Sequence, residues 1–403
     1  MRILMIAPEP FFEPRGTPIS VYQRLSALST LKHEVDLLTY HIGKDVDFPC
    51  VQIHRVPRIP LVKQIKIGPS WSKLLLDSFL FLKAIHMLAT KRYDVIHSHE
   101  EAAFFSIFLA GIFRTIHLYD MHSSLPKQLK HSKYGRLKFA VALFKWLEKR
   151  VIRGSNAIIT IGADLEADVK RINPQVPHLM IENIAIHAGR LNADPGVVEQ
   201  VKTNIGLNGN KLVVYTGSFE PYQGLDLLLE SALIVRKSLP SVLYLLVGGN
   251  PEQIREYQEK VRQMNLQATV QFTGLVSPEQ ALAYLEIADV LVSPRVEGMS
   301  VPLKIYTYLF SGKLCVATRM PAHTQVLNEE IALLVEPTTE AFAGGVLEGL
   351  QNPDYSERIG MQAQQFALEK YNFSNYLAKV NQIYQHLKRS EFGVEQSIPV
   401  LEE

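Results

Sequence analysis

Residues 269–318 read TVQFTGLVSPEQALAYLEIADVLVSPRVEGMSVPLKIYTYLFSGKLCVAT. Short apolar runs, TVQFTG, DVLVSP and LCVAT, alternate here with SPEQALAYLEIA and PLKIYTYLFSG, whose apolar residues recur at helical spacing. Runs of the first kind, bounded by Gly, Pro and Ser, read as strands buried on both faces, with the intervening helices as their cover. A succession of strand, helix, strand, helix and strand packs as parallel strands joined by crossover helices. The stretch predicts part of a doubly wound α/β sheet.

The same rhythm extends upstream through KLVVYTG, GLDLLLESALIV, VLYLLVGG and PEQIREYQEKVRQM, and downstream through ALLVEP and TEAFAGGVLEGL. An earlier set precedes it: MRILMIAP, ISVYQRLSAL, HEVDLLTY, WSKLLLDSFLFLKAIHML, YDVIHSH, EAAFFSIFLAGIF, TIHLYDMH, LKFAVALFKWLEKRVI, NAIITIG, ADLEADVKRI and HLMIEN. Between the sets, AIHAGRLNADPGVV gathers Gly, Pro, Asn and Asp, which puts the boundary near 184–210. At 403 residues the chain exceeds one domain of roughly 100–200 residues. The expected organisation is α/β, with Rossmann-like domains at 1–185 and 186–370, a helix at about 371–390 whose periodicity fits either half, and a tail at 391–403. Ligands of open α/β sheets bind beyond the carboxyl ends of strands, so the two sheets are expected to face an interdomain cleft.

With 47% apolar and 20% charged residues, the composition is that of a globular protein. The two cysteines, Cys50 and Cys315, stand in apolar runs, suggest neither a disulfide framework nor a metal site, and fit a cytoplasmic protein. MRILMIAP lacks the pattern of a cleavable signal. LLLDSFLFLKAIHMLA (74–89) is broken by Asp77, Lys83 and His86 and falls short of the ~20 apolar residues a membrane span needs. No G-x-G-x-x-G follows the first strand, which argues against a dinucleotide dehydrogenase. One glycine, Gly16, precedes a helix whose start is marked by Thr17 and Pro18, and free N–H groups there could hold an anion.

These pieces, in this order, carry a resemblance. PRGTPISVYQRLSAL with HEVDLLT, YDVIHSH, YDMHSSLP, IIT with MIEN, YTGSFEPYQGLDLLLESA, TVQFTGLVSPEQALAYLEIADVLVSPRVEG and PLKIYTYLFSGKLCVAT together resemble the family 4 retaining glycosyltransferases of GT-B fold, over nearly the whole chain. The resemblance implies a C-terminal half that binds a nucleotide-sugar donor, UDP- or GDP-linked, and an N-terminal half that binds the acceptor. It implies a final helix that crosses back to the first domain, and neither metal nor cofactor. Asp45-Val46-Asp47 has the spacing of a metal-binding acid pair but lies in a polar loop and reads as a solvated turn.

The departing diphosphate gains charge as the glycosyl bond breaks and needs cationic partners. Members of the family carry a G-R-x-x-x-x-K-G loop after the first strand of the second domain. This chain has Gly217-Ser218-Phe219-Glu220-Pro221-Tyr222-Gln223-Gly224, without either cation. Either the donor function is lost or other groups supply the charge, and Arg295 and Lys304, flanking the turn that holds Gly298, Met299 and Ser300, are the replacements we expect. Pro302 suits a first helical turn. Lys304 in that turn is either solvated or paired with an anion, and a cation there opposes the helix dipole.

The family pattern puts one glutamate near the reacting sugar, which Glu297 matches by its E-G context in a loop two residues longer, and a second five residues before the closing glycine. Five before Gly312 stands Thr307, which can bond one ribose hydroxyl but cannot grip two, at a cost of about 1–3 kcal/mol. His122 in YDMHSS resembles the family histidine that approaches the transferred sugar, and Asp120, on the same strand face, could orient it or meet the acceptor. His97 and His99 with Glu100 mimic a metal site, but without a third ligand at recognisable spacing they read as hydrogen-bonding residues at a strand end. Gly217, Ser218 and Gln223 are donor-binding candidates by the same resemblance, and Gly248, Gly249, Thr273, Gly274 and Leu275 lie after strands where it puts the nucleotide base and ribose, to which they would contribute mainly backbone.

Charge is uneven: residues 1–185 hold 25 Lys+Arg against 16 Asp+Glu, and residues 186–403 hold 17 against 24. Residues 127–153 contain nine Lys+Arg and one acid beside Phe139, Phe144 and Trp146, after an apolar run at 71–92 with Lys73, Lys83, Lys91 and Arg92. Such a surface suits a lipid-linked or glycan acceptor at the anionic inner face of a membrane; the alternative is a core helix with a basic exposed side. No nucleic-acid module accompanies the charge. Three functions fit the residues: an active retaining transferase in glycolipid or cell-surface polysaccharide assembly, a GT-B phosphorylase or epimerase, and a non-catalytic GT-B subunit.

Overall fold

The computed structural model describes residues 1–13, 16–60, 62, 65, 71–130, 138–185, 193–207 and 209–391. Pro14 and Arg15 of the first loop, residues 131–137 of the basic stretch, 186–192 of the boundary and the tail from 392 lie outside the described residues. The chain divides into two compact units, one formed by Met1–Asn183 with Ser374–Glu403 and the other by Ile184–Phe373.

The first unit is a seven-stranded parallel sheet of β1 (Arg2–Ala7), β2 (Glu34–Thr39), β3 (Val51–Arg55), β4 (Val95–His99), β5 (Ile116–Met121), β6 (Ala157–Thr160) and β7 (His178–Met180), in the order β3-β2-β1-β4-β5-β6-β7. Every residue of β4 is buried, as is all of β1 beyond Arg2. The near-continuous apolar runs are what strands covered by helices on both faces require. β3 is absent from the runs that the sequence pattern singles out: VQIHR alternates polar with apolar residues and lies half-buried at the sheet edge. The helix Phe373–Glu391 packs into this unit through Tyr376, Val380, Ile383, Tyr384 and Leu387, all buried.

The second unit repeats the plan with β8 (Lys211–Gly217), β9 (Val242–Gly248), β10 (Val270–Gly274), β11 (Val290–Ser293), β12 (Cys315–Thr318) and β13 (Leu333–Val335), ordered β10-β9-β8-β11-β12-β13. Its helices begin on side-chain caps that the sequence spells out: Asn250 with Gln253 and Ser277 with Gln280 form reciprocal capping boxes. The helix Pro353–Lys370 comes so close to the turn ending the helix Leu303–Phe310 that a Cβ on Gly360 would stand 2.1 Å from the Gly312 carbonyl oxygen. In each unit the strand order reverses once, between β1 and β4 and between β8 and β11. The loops beyond the carboxyl ends of these pairs are where a doubly wound sheet opens to a ligand.

Candidate functional site

At the β8/β11 switch of the second unit, three loops are drawn together by their glycines. Gly224 has φ +74° and Gly248 φ +117°; a Cβ would fall 1.9 Å from the Pro294 oxygen in the first case and 2.1 Å from the Gly217 oxygen in the second. Only glycine permits both the left-handed backbone and the approach. Val296 N donates to Tyr222 O at 3.1 Å and Gly249 N to Gly217 O at 3.2 Å, so the loops after β8, β9 and β11 form one surface.

Lys304 enters this surface from the second position of the helix Leu303–Phe310. Its Nζ is buried, has no hydrogen-bond partner among the described residues, and lies 3.7 Å from the Tyr215 ring centre. It also flanks Gly217, where a Cβ would stand 3.4 Å from it. Burial, reinforced by Arg295, pulls the ammonium well below the usual lysine range. A buried amine with no acceptor costs free energy unless an anion joins it. Arg295 stacks its guanidinium 5.0 Å from the Tyr222 ring centre and donates from Nε to Glu297 O at 2.7 Å. Arg295 thus lies against Tyr222 of the segment 217–224, which has neither cation, and Lys304 against Tyr215 just before it.

The turn is braced from behind. His323 Nδ1 donates to Thr318 O at 2.8 Å, which leaves Nε2 to accept from Ser293 Oγ at 2.8 Å, while Thr318 Oγ1 donates to Arg295 O. Burial pushes the His323 ring down to about 4, so it is neutral in this role. Tyr308 OH accepts from Thr216 N at 2.8 Å and ties the Lys304 helix to β8. Gln325 Nε2 donates to Met299 O at 2.6 Å. Glu297, Gly298, Met299 and Ser300 are exposed at the tip, and Thr307 sits half-buried one turn beyond Lys304.

The structure thus brings Gly217, Ser218, Gln223, Gly249, Arg295, Gly298 and Lys304 into one neighbourhood, with Tyr215 OH donating to Ser218 O at 2.7 Å. Thr273 and Gly274 end the edge strand β10, two places from β8, and Leu275 follows it, 83% exposed. Gly16 and Thr17 belong to the first unit, where Gly16 opens the helix Gly16–Thr30 with φ +44° and open space where a Cβ would be.

The first unit holds a second cluster, on β4 and β5. Parallel register sets His99 beside Asp120, and alternation puts His97 with His99 and Asp120 with His122. Asp120 is fully buried and its Oδ2 accepts from Arg24 Nε at 2.7 Å and from His97 Nε2 at 3.2 Å. Its Oδ1 lies 3.3 Å from His122 Nε2, which is also 2.9 Å from His99 Nδ1. Tyr384 OH meets His97 Nδ1 at 2.7 Å, and Arg24 Nη1 donates to Tyr376 OH at 2.7 Å. Burial alone would raise the Asp120 carboxyl, but Arg24, His122 and His97 outweigh it and hold it well below the usual range. Burial lowers all three rings, His122 to about 4 against the opposing pull of Asp120.

This cluster bears on two expectations. Asp120 is fully buried, with one carboxylate oxygen on Arg24 and His97 and the other 3.3 Å from His122 Nε2. His97 and His99 do have a third group in reach, since ligand atoms of His97, His99 and Asp120 lie within 4.8 Å of one another. A metal fits poorly there, because Asp120 is paired to a guanidinium and the nitrogens facing it are already hydrogen-bonded. Glu100 stands apart, with φ +48°; Ser123 Oγ donates to its carboxyl at 2.7 Å, and burial and Glu101 push it up to about 7. Asp45 of the acid pair is met by Arg55, at 2.6 Å.

Arg24 is the residue that sequence reasoning missed. Its one signal is a cation flanked by Val21, Leu25 and Leu28 on the buried face of a helix.

Residues 14–179 match the family described as Glycosyltransferase Family 4, and residues 210–352 the family described as Glycosyl transferases group 1. Phosphatidyl-myo-inositol mannosyltransferase of Mycobacterium leprae is 23% identical over 394 residues, covering 97% of this chain and 98% of that protein. Alpha-monoglucosyldiacylglycerol synthase of Streptococcus pneumoniae is 21% identical, covering 99% and 93%. Among solved structures, sucrose-phosphate synthase from Thermosynechococcus elongatus superimposes with a TM-score of 0.78 at 20% identity, over 96% of this chain and 99% of that one.

Proposed function

We propose, from the premise that this chain belongs to glycosyltransferase family 4 and is a glycosyltransferase of GT-B fold, that it transfers a sugar with retention from a UDP- or GDP-linked donor to a lipid-linked or glycan acceptor. The two relatives are named for phosphatidyl-myo-inositol and for a glucosyldiacylglycerol, which supports glycolipid or cell-surface polysaccharide assembly as the setting. The observation that carries the donor assignment is the buried Lys304 ammonium beside Gly217, which has no hydrogen-bond partner among the described residues, with Arg295 close enough to repel it. A diphosphate supplies the charge these cations lack, and their attraction strengthens as the leaving group gains charge. Neutralisation by side chains makes a metal unnecessary for this step, and no cofactor is invoked. Glu297 is assigned to the sugar, Thr307 to a ribose hydroxyl, and His122 to the reacting end of the sugar or acceptor.

We also assign a membrane partner. No described helix is long and apolar enough to cross a bilayer. The helices Trp71–Thr90, Ala103–Phe113 and Lys138–Gly154 lie side by side, joined by Phe81 against Phe105 and Phe104 against Phe144, and expose Leu74, Leu82, Phe108, Ile112, Phe139 and Trp146. Lys138, Lys145, Arg150 and Arg153 are exposed among them, whereas the acids on this side turn inward: Asp77 to Tyr40, Glu101 to Lys73, and Glu148 into the core. An apolar face fringed by cations, with no exposed acid among the described residues of these three helices, complements an anionic lipid surface.

A panel of UDP- and GDP-sugars tests the function, read as nucleotide release and as the anomeric configuration of the product. Retention with release supports the reading. Silence across the panel from folded protein overturns it in favour of a non-catalytic subunit.

A further inference from the structure

The ion pair of Arg24 and Asp120, 2% and 0% exposed, is an expensive way to hold a fold together, since apolar side chains of similar volume commonly stabilise as well. Its surroundings give it another purpose. Asp120 turns one oxygen to Arg24 and His97 and the other toward His122 Nε2, and has no hydrogen bond on that second oxygen among the described residues. A carboxylate held charged at 3.3 Å favours the proton on Nε2 of His122, where His99 Nδ1 shares it at 2.9 Å. Nδ1 of His122 is then a bare lone pair, buried and unpartnered among the described residues.

We infer that Arg24 is a positioning residue for the transfer reaction: by fixing Asp120 as a carboxylate it sets the tautomer of His122, so that Nδ1 is presented as a hydrogen-bond acceptor to a substrate hydroxyl. The inference rests on the assignment of His122 to the reacting end of the substrates. The charged and titratable groups facing His122 are Asp120 on β5, which His122 directly follows, His97 and His99 on β4 with Glu100 following, Arg24 from the helix Gly16–Thr30, and Tyr376 and Tyr384 behind them from the helix Phe373–Glu391. Arg24 also reaches the Tyr376 hydroxyl, so the last helix holds the guanidinium in register. Without Arg24, the Asp120 charge would be balanced by taking a proton onto the neighbouring rings, which converts His122 from acceptor to donor.

The test compares R24M, R24K and the charge-neutral pair R24M/D120N in the full chain by two readouts. Histidine ring resonances followed from pH 8 to pH 4, at intervals of about one unit, report protonation without reference to activity. In the parent we expect the His122 ring, which burial pushes down to about 4, to stay neutral over most of this range. In R24M we expect the His97–His99–His122 group to take up a proton near the ordinary value of 6.5, and R24K to restore the neutral ring. Nucleotide release from the donor that the parent turns over should fall at least about tenfold in R24M, with its acid limb moved up in pH, and KM for the donor unchanged. R24M/D120N, which leaves no buried unpaired charge should R24M fail to fold, should keep neutral rings and still lose turnover at least about tenfold, because its amide does not select the tautomer. Parent-like ring titration in R24M, or parent-like turnover in R24M/D120N with R24M unfolded, overturns the inference. Shifted titration with undiminished turnover leaves the Arg24 effect on the ring standing and overturns instead the assignment of His122 to the reaction.

Discussion

Lys304→Met separates a binding cation from a structural one because it moves two measurements in opposite directions. The Nζ is buried without an acceptor among the described residues, and a buried unsatisfied polar group costs about 1–3 kcal/mol. Methionine retains the length of the chain and removes that cost, so the ligand-free variant should unfold at higher temperature, by about 2–4 °C for each kcal/mol recovered in a unit of this size. Diphosphate binding should weaken: a charge-assisted hydrogen bond contributes about 1.5–3 kcal/mol, or about 10- to 150-fold in UDP or GDP affinity. Uridine or guanosine, which lack the diphosphate, should bind as to the parent. Calorimetric titration with each ligand and a thermal melt suffice. A variant that is less stable and binds the diphosphate unchanged would refute the reasoning, since Lys304 would then be a packing residue.

The same buried amine makes binding proton-linked. Its affinity for protons is depressed in the free protein and restored by the bound diphosphate, so UDP or GDP should bind with proton uptake and lose affinity as pH rises through that window; calorimetry in buffers of different ionisation enthalpy reads the uptake, and a value of zero at every pH counts against it. Arg295→Ala should lower diphosphate affinity about tenfold or more and leave nucleoside affinity alone, because its guanidinium shares the Tyr222 side of the same surface. His117 is held between Ser98 Oγ at 2.7 Å and Ser155 Oγ at 3.0 Å, with burial pushing it down to about 3 from an ordinary 6.5. The unfolded chain therefore takes up a proton that the folded one refuses, and the stability advantage of the parent over His117→Gln should be full above pH 6.5 and shrink by about 1.4 kcal/mol per pH unit below it. Buried acids such as Glu100 work in the other direction, so the difference between the two proteins, taken from urea denaturation at several pH values, is the quantity to follow; a constant difference would contradict the assignment. With Trp71 replaced by Phe, Trp146 becomes the one tryptophan, and its emission should shift to the blue on vesicles containing phosphatidylglycerol but not on phosphatidylcholine alone; no shift on either argues against the lipid-facing assignment.

What could be read in advance followed range of interaction. Strands such as VLYLLVGG and LCVAT declare themselves because a parallel strand covered on both faces must be apolar throughout, and the caps at Asn250 and Ser277 are local grammar. VQIHR escaped because an edge strand needs only one buried side. Arg295 and Lys304 were identifiable as the cations nearest a glycine turn, but the burial of the Lys304 nitrogen depends on Tyr215, far back in the chain. Arg24 is the extreme case: its partners Asp120 and Tyr376 are 96 and 352 residues distant, and no periodicity links them. The third group beside His97 and His99 was hidden for the same reason, since adjacency of β4 and β5 brings Asp120 there.

The first unit is discontinuous, and that has a bearing on biosynthesis. A ribosome releases Met1–Asn183 well before Ser374 and must complete all of Ile184–Phe373 in between. Throughout that interval Arg24 and His97 lack the hydroxyls of Tyr376 and Tyr384, so the nascent amino-terminal sheet waits with charged groups in its interior only partly satisfied. Translation stalled late, or a nonsense codon close to the end, should yield a chain whose second unit is sound and whose first unit is prey for chaperones and proteases.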